Sequence, residues 1–499
     1  MVLVTVELES RPESTILDQT PESPGWWLIR LGRRLQADRE QMDKLDGYDR
    51  GDHPLPTGHR RAAESYRRFQ EQARSNFTGL VVEAVLERLR VLGFRQGADG
   101  QGADSEAARI WQANSLDADS GLLHRAALVM RRSYAIVGRD PQKPETPLIT
   151  IEDPREVIHA RDPLRRRRVR AALKWWCDEF DGYDRAVVYL PTGVHYFRAT
   201  SKDASNRWSA NRWGIDESEG QDGYAAAPID GLVPVVPFIN RPHLDGYGVG
   251  EFEDVCDIQD RINNTTLHRM IVAAMQAFRQ RVLTGPELER EDLPFDPGAD
   301  LLWVLDSPEF KIEELGQADL GPLLKAAEAD VRDLAAITRT PPHYLLGEIV
   351  NASGDALKAA ETGLVSKALE RQRQFGESWE QVLDLAFRIT GREAAVDSET
   401  IWKDPESRSM AELADAALKR KQVGVPWRQN MEDLNYTPAQ IERMEADRAT
   451  EMFQAHMAAN PPPPTAGAQN RGGLPPTEED ENAAAAPPAG GQEPGVGGG

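Results

Sequence analysis

The chain has 499 residues, 40% of them hydrophobic and 28% charged, which excludes a single small module and calls for roughly two to four compact units with linkers. Its 59 basic and 81 acidic side chains give a formal charge of −22, which argues against a protein that clamps nucleic acid by neutralising phosphates. The two cysteines, Cys177 and Cys256, make neither a disulfide framework nor a thiolate metal site, as expected of an intracellular product.

Glu7, Glu9, Glu13 and Asp18 interrupt any apolar core that a signal peptide would need near the start. From Pro24 to about Gly93 the spacing predicts two or three amphipathic helices, one carrying Leu28, Leu31 and Leu35 and another Leu80, Ala84, Val85, Leu89 and Leu92, the latter stopping at Gly93. Residues 108 to 132 read as helical. Between Tyr134 and Asn240 the period shortens, and YAIVG, TPLITIE, EVIHA, RAVVYL and HYFRAT read as antiparallel strands. A helical stretch at Val169 to Asp178 interrupts them, which makes the region α+β.

Leu232 to Ile239 is the longest apolar run; it holds two prolines and falls far short of the ~20 residues that span a bilayer, so no membrane protein is expected. Val255, Ile258, Ile262, Met270, Ala274, Phe278 and Val282 then predict one helix of about 42 Å, ending at Gly285-Pro286. LLWVL at 301 to 305 and FKIEEL at 310 to 315 read as short strands in an excursion too small to fold alone. A second helix starts near Leu320, uses Leu324, Ala327, Val331 and Leu334, and stops at Pro341-Pro342. Turn residues lead into a third long helix through Leu364, Phe375, Trp379 and Phe387, closed by Gly391. Residues 408 to 456 read as helices, one capped at Thr437-Pro438. Residues 460 to 499 hold nine Pro, nine Gly and seven Ala, a composition that predicts a disordered tail.

The chain has no GxxxxGK[ST] loop, no GxGxxG after a strand, no HExxH and no GxSxG. No catalytic residue, cofactor or metal ligand is therefore assigned. Arg165 to Arg168 read first as a solvated strand edge and second as a contact for phosphate or an acidic partner. Trp26, Trp27, Trp175, Trp176, Trp208 and Trp213 read mainly as packing, and Lys325 and Lys358 as solvent-facing lysines.

The segments NFTGLVVEAVLERLRVLGFR at 76 to 95, GLVPVVPFINRPHLDGYGVGEFEDVCDIQDRINN at the head of 231 to 285, TPPHYLLGEIVNASGDALKAAE at 340 to 361 and WKDPESRSMAELADAALKRKQVGVP at 402 to 426 resemble the SPP1-type portal proteins of tailed phages and prophages of actinobacteria. The resemblance implies an α+β portal fold, with long stem helices, an α+β wing, a small β-containing clip and a helical crown. Carried onto this chain, it gives an N-terminal arm (1–23), a wing (24–252 with the helix 356–390), stem helices (253–283 and 320–340), a clip (284–319), a tunnel loop (341–355), a crown (391–456) and a disordered tail (457–499).

It further implies a ring of about twelve subunits at one capsid vertex, through which terminase drives double-stranded DNA and through which DNA leaves. The implied partners are other copies of the chain, the terminase large subunit, head-completion or adaptor proteins, and the major capsid and scaffold proteins, with assembly in the host cytoplasm and no membrane. His343, Asn351, Ser353, Asp355 and Lys358 would line the channel, and Glu287, Glu289, Arg290, Glu291 and Asp292 would meet terminase. The alternatives are another structural or minor head protein of a phage, or a DNA-packaging enzyme.

Overall fold

The computed structural model describes residues 17–56, 63–95, 104–140, 142–202, 208–216, 229–277, 281–284, 311–314, 319–347, 354–392, 398–406 and 410–459. The chain forms two compact units, Met1–Glu442 and Arg443–Gly499. In order, the elements are α1 (Pro24–Arg50), α2 (Ala63–Gln72), α3 (Phe77–Leu86), β1 (Val91–Arg95), α4 (Ser105–Ala113), α5 (Leu116–Met130), β2 (Arg132–Arg139), β3 (Pro147–Glu152), β4 (Val157–Arg161), β5 (Val169–Cys177), β6 (Asp184–Leu190), β7 (Gly193–Ala199), β8 (Trp213–Ile215) and β9 (Val235–Ile239). There follow α6 (Cys256–Ala277), β10 (Arg281–Thr284), β11 (Lys311–Glu314), α7 (Gly321–Thr338), α8 (Pro342–Leu346), α9 (Gly354–Ile389), β12 (Glu399–Trp402), α10 (Met410–Gln422), α11 (Trp427–Asp433) and α12 (Pro438–Ala459).

Ser23 starts α1 by accepting from the Trp26 N–H at 3.2 Å, Pro24 fixes the first turn, and Gly51 at φ 80° stops the helix. The N-terminal half of α1 lays Trp27, Leu28, Leu31 and Leu35 on the five-stranded antiparallel sheet β4-β5-β6-β7-β8, against Ile158, Leu173, Trp175, Val188 and Phe197. Its C-terminal half puts Met42, Leu45 and Tyr48 into a second, larger core with α3, α5 and α9. In that core α9 buries Leu364, Ala368, Phe375, Trp379, Val382 and Ala386, spaced by fours, one three and one seven. Trp379 meets Trp111 and Phe238 with ring centroids 4.8 Å apart in each case, and His124 stacks on Phe375 at 5.3 Å. The three-stranded sheet β3-β2-β9 lies between the two cores.

Most predicted elements form where the periodicity placed them, with five differences. The helix expected to run to Gly93 ends at Leu86, and Val91–Arg95 pairs instead with β12, some three hundred residues away, with a register shift between Val91 and Gly93. Val169 to Cys177 is a central strand, not a helix, because β4 and β6 hydrogen-bond both of its edges and outweigh the helix propensity of its Ala, Leu and Lys. The helix expected to reach Val282 ends at Ala277, about 33 Å long, and Val282 lies in β10 opposite Glu313. Residues 399–402 of the segment expected to be helical from 391 form β12. The short helix α8 occupies part of the expected 341–355 loop and ends at Gly347 with φ 67°. The expected strand at 301–305 and the tail from 460 fall outside the described residues. No described helix is long and apolar enough to cross a membrane.

Candidate functional site

Among the described residues the pair α6–α7 is covered by the rest of the chain only in part. The start of α6 is strapped to the main core by polar groups: Gln259 accepts from the Phe77 N–H at 3.1 Å, Asn263 accepts from the Ser75 N–H at 3.0 Å, and Tyr48 donates to Asp260 at 2.8 Å. The α3 N-terminus thereby finds an acceptor for an N–H that has no partner within its own helix. Arg261 joins α6 to Asp330 of α7 at 2.8 Å. Ile262, Leu267, Val331, Leu334 and Ala335 are buried, all but Leu267 in the larger core. Farther along the pair the cover thins: Met270, Ile271 and Val272 are half-buried and Leu324, near the start of α7, is 41% exposed; Ile337, near its end, is 54% exposed.

At the other end of α7 lies a buried ionic cluster. Glu251, 4% exposed, takes Lys367 of α9 at 3.1 Å and Arg371 one turn later at 3.3 Å, and Asn240 donates to it at 3.2 Å. Burial alone would raise the Glu251 carboxyl, but Lys367, Arg371 and Asn240 together hold it below its ordinary value. Burial pulls the Lys367 ammonium down, and Glu251 only partly restores it. Lys367 also donates to the Thr338 carbonyl at 2.7 Å, satisfying the C-terminal end of α7. One carboxylate thus fixes the 240–251 loop, α7 and α9 against one another, beside a polar cavity of about 490 Å³.

Of the residues predicted to line a channel, His343 is half-buried on α8, its Nε2 4.0 Å from Glu361. Its neighbour Tyr344 accepts from Arg88 at 3.0 Å, which ties α8 to α3. Lys358 is exposed on α9 and pairs with Glu412 of α10. Asn351, Ser353, Glu287, Glu289, Arg290, Glu291 and Asp292 lie outside the described residues, as does the side chain of Asp355. The structure therefore brings His343 to Glu361 and Lys358 to Glu412, with Lys358 and Glu361 three residues apart on α9. The Glu251 cluster was missed by sequence reasoning. Its signal was present: Lys367 and Arg371, four apart, fall on the face of α9 that also carries Leu364, Ala368 and Phe375. Among the described residues no group of three or more His, Cys, Asp or Glu is placed to hold a metal ion.

Residues 33–452 match the family model described as phage portal protein, SPP1 Gp6-like. The chain is 30% identical over 398 residues to the portal protein of Mycobacterium phage D29, covering 74% of this chain and 78% of that protein. It is 30% identical over 397 residues to the portal protein of Mycobacterium phage L5, with the same coverage. Among solved structures it is similar to a chain of the virion of a native gene transfer agent particle at 11% identity, covering 76% of this chain and 95% of that one. The TM-score there is 0.37.

Proposed function

Because the chain belongs to the SPP1 Gp6-like family of phage portal proteins, we propose that it closes into a ring of about twelve copies at one capsid vertex, forming the channel for genome packaging and exit. The observation that carries this reading is the incomplete cover of α6 and α7. Leu324 and Ile337 stand exposed near the two ends of α7 and on different sides of it, and a head-to-tail contact repeated by rotation would bury both and close on itself. The ribbon β10–β11 points the same way, since among the described residues it has two strands only, and a two-stranded ribbon is marginal in water and gains from neighbours.

In this reading α6 and α7 are the stem, residues 284–319 with β10 the clip, 341–355 the tunnel loop, and the sheets with α1 to α5 and α9 the wing. Hydrogen-bonded to β1, β12 goes with the wing, so the crown starts after Trp402. The partners are terminase, head-completion, capsid and scaffold proteins, and the site of action is the virion. The role requires no catalysis. A net charge of −22 suits a wall past which DNA must slide, because each phosphate left unneutralised is one that does not hold the duplex.

Electron microscopy and native mass of the purified chain, alone and with scaffold, test the ring: closed rings with a central hole support it, and a monomer under both conditions overturns it. The channel residues have their own test. Residues 348–353, replaced by Gly and Ser, leave the packed α8 in place, and DNA packaged per head is expected to fall; unchanged packaging and retention would remove the loop from the channel.

A further inference from the structure

The hairpin from β4 to β5 carries Arg165, Arg166, Arg167 and Arg168 on a chain of charge −22. The turn is ordered. Asp162 accepts from the backbone N–H groups of Leu164 at 2.8 Å and Arg165 at 3.2 Å, and the Arg168 N–H donates to the Arg165 carbonyl at 2.8 Å. Arg168 then donates to the Gly231 carbonyl at 3.1 Å and Arg167 pairs with Glu377 of α9. Arg165 and Arg166 are exposed and form no ion pair with a described carboxylate.

Directly beside these arginines lies a groove of about 630 Å³ whose floor is mainly aliphatic, made by Val169, Leu232, Val233, Val235, Val236 and Leu385, with Gln381 and Asp384 of α9 on its far side, the latter paired with Arg388 at 3.0 Å. One side of this floor is β9, an edge strand. The bonds from Asn240 N–H to the Arg131 carbonyl and from Val137 N–H to the Pro234 carbonyl turn the backbone groups of the even-numbered residues of β9 toward β2, so it is the backbone groups of Val235, Pro237 and Ile239 that point to the open edge. Pro237 has no N–H to offer there, and its carbonyl already accepts from Ser378 at 3.0 Å. An added strand is blocked, so whatever occupies the groove is held by its side chains.

We propose that the groove and its arginine rim form a docking site for a short segment of a partner protein that presents aliphatic side chains flanked by Asp or Glu. The aliphatic floor accepts the apolar side chains, and Arg165 and Arg166 receive the acids. A phosphate backbone fits less well: it has nothing to place on an aliphatic floor, and the charge of the whole chain repels it. The proposal rests on the hairpin and groove within one chain and is independent of ring closure.

The full chain is applied to an array of random short peptides, with Arg165→Glu/Arg166→Glu and Leu232→Ser as variants whose folding is verified by thermal melting. The expected result is enrichment of peptides combining acids with Leu, Ile or Val, binding weakened about tenfold or more by either variant, and further weakening with salt. Three outcomes overturn it: enrichment for acids without aliphatics, equal competition by a short DNA duplex, or dissociation of assembled rings by Arg165→Glu/Arg166→Glu, which would assign the groove to a second copy of this chain.

Discussion

Replacing Glu251 with Gln would leave Lys367 inside the protein without a counter-charge and Arg371 with only the half-exposed Glu370 at 3.4 Å. Removing one partner of a buried ionic group costs about 3–5 kcal/mol, so Glu251→Gln should lower the urea midpoint sharply. Lys367→Met should cost less, because it leaves the Glu251–Arg371 pair and forfeits mainly the bond to the Thr338 carbonyl. Two buried histidines make stability depend on pH. Burial pushes both His124 and His159 down from 6.5 to about 3, with Arg132 and Arg34 adding to the effect at His159. The unfolded chain takes up protons that these rings refuse, so stability is complete above the ordinary histidine value and declines as pH falls toward the folded value. At about pH 5 each ring should account for a loss of about 2 kcal/mol relative to neutral pH, read as a falling urea midpoint. His159→Gln should flatten that dependence. Neither the cluster nor the histidines stood out in the sequence, because a charge or an imidazole on an apolar stripe acquires meaning only once its partners, here up to 255 residues away, are in place.

Among the elements, the contact of α1 with the five-stranded sheet leaves no room at Gly32, where a Cβ would come within 2.2 Å of the Trp208 ring. That ring is itself hemmed in by Trp175 and Trp213, both 5.1 Å away by centroid. Gly32→Ala should therefore cost about 1–3 kcal/mol and alter the near-ultraviolet dichroism of the tryptophans. The long helices and hairpins were legible because their apolar periods are strong and local. β1, β5 and β12 were not. Leu89 and Leu92 continue a helical spacing past the true end of α3, and only pairing with the distant β12 makes a strand of Val91–Arg95. VRAALKWWC has helix-forming residues and no clean alternation, because both faces of β5 are covered. The Thr437 cap was legible in full: Gln440 accepts from the Thr437 N–H at 2.9 Å while Thr437 accepts from the Gln440 N–H at 3.4 Å.

For the whole molecule, the exposed apolar residues of α7 separate assembly from folding. Leu324→Glu with Ile337→Glu should shift native mass from rings to smaller species while leaving the urea midpoint of the single chain unchanged, since both side chains are already exposed. A ring population equal to that of the parent protein would move the interface elsewhere. The order of helices, ribbon and helices along the chain carried the family resemblance, whereas individual residues facing the channel did not declare themselves. A conduit needs a shape and a charge balance rather than a reactive group, and neither leaves a motif.

The division of α1 between two cores has a consequence for how such a chain can vary. Leu35 belongs to the core of the five-stranded sheet and Met42 to the larger one, on a single unbroken helix. Inserting one residue between them would rotate everything beyond it by about 100°, turning Met42, Leu45 and Tyr48 away from their partners while the first half stayed seated. Related sequences should therefore gain and lose residues in the connecting loops and keep the spacing from Leu35 to Met42 constant.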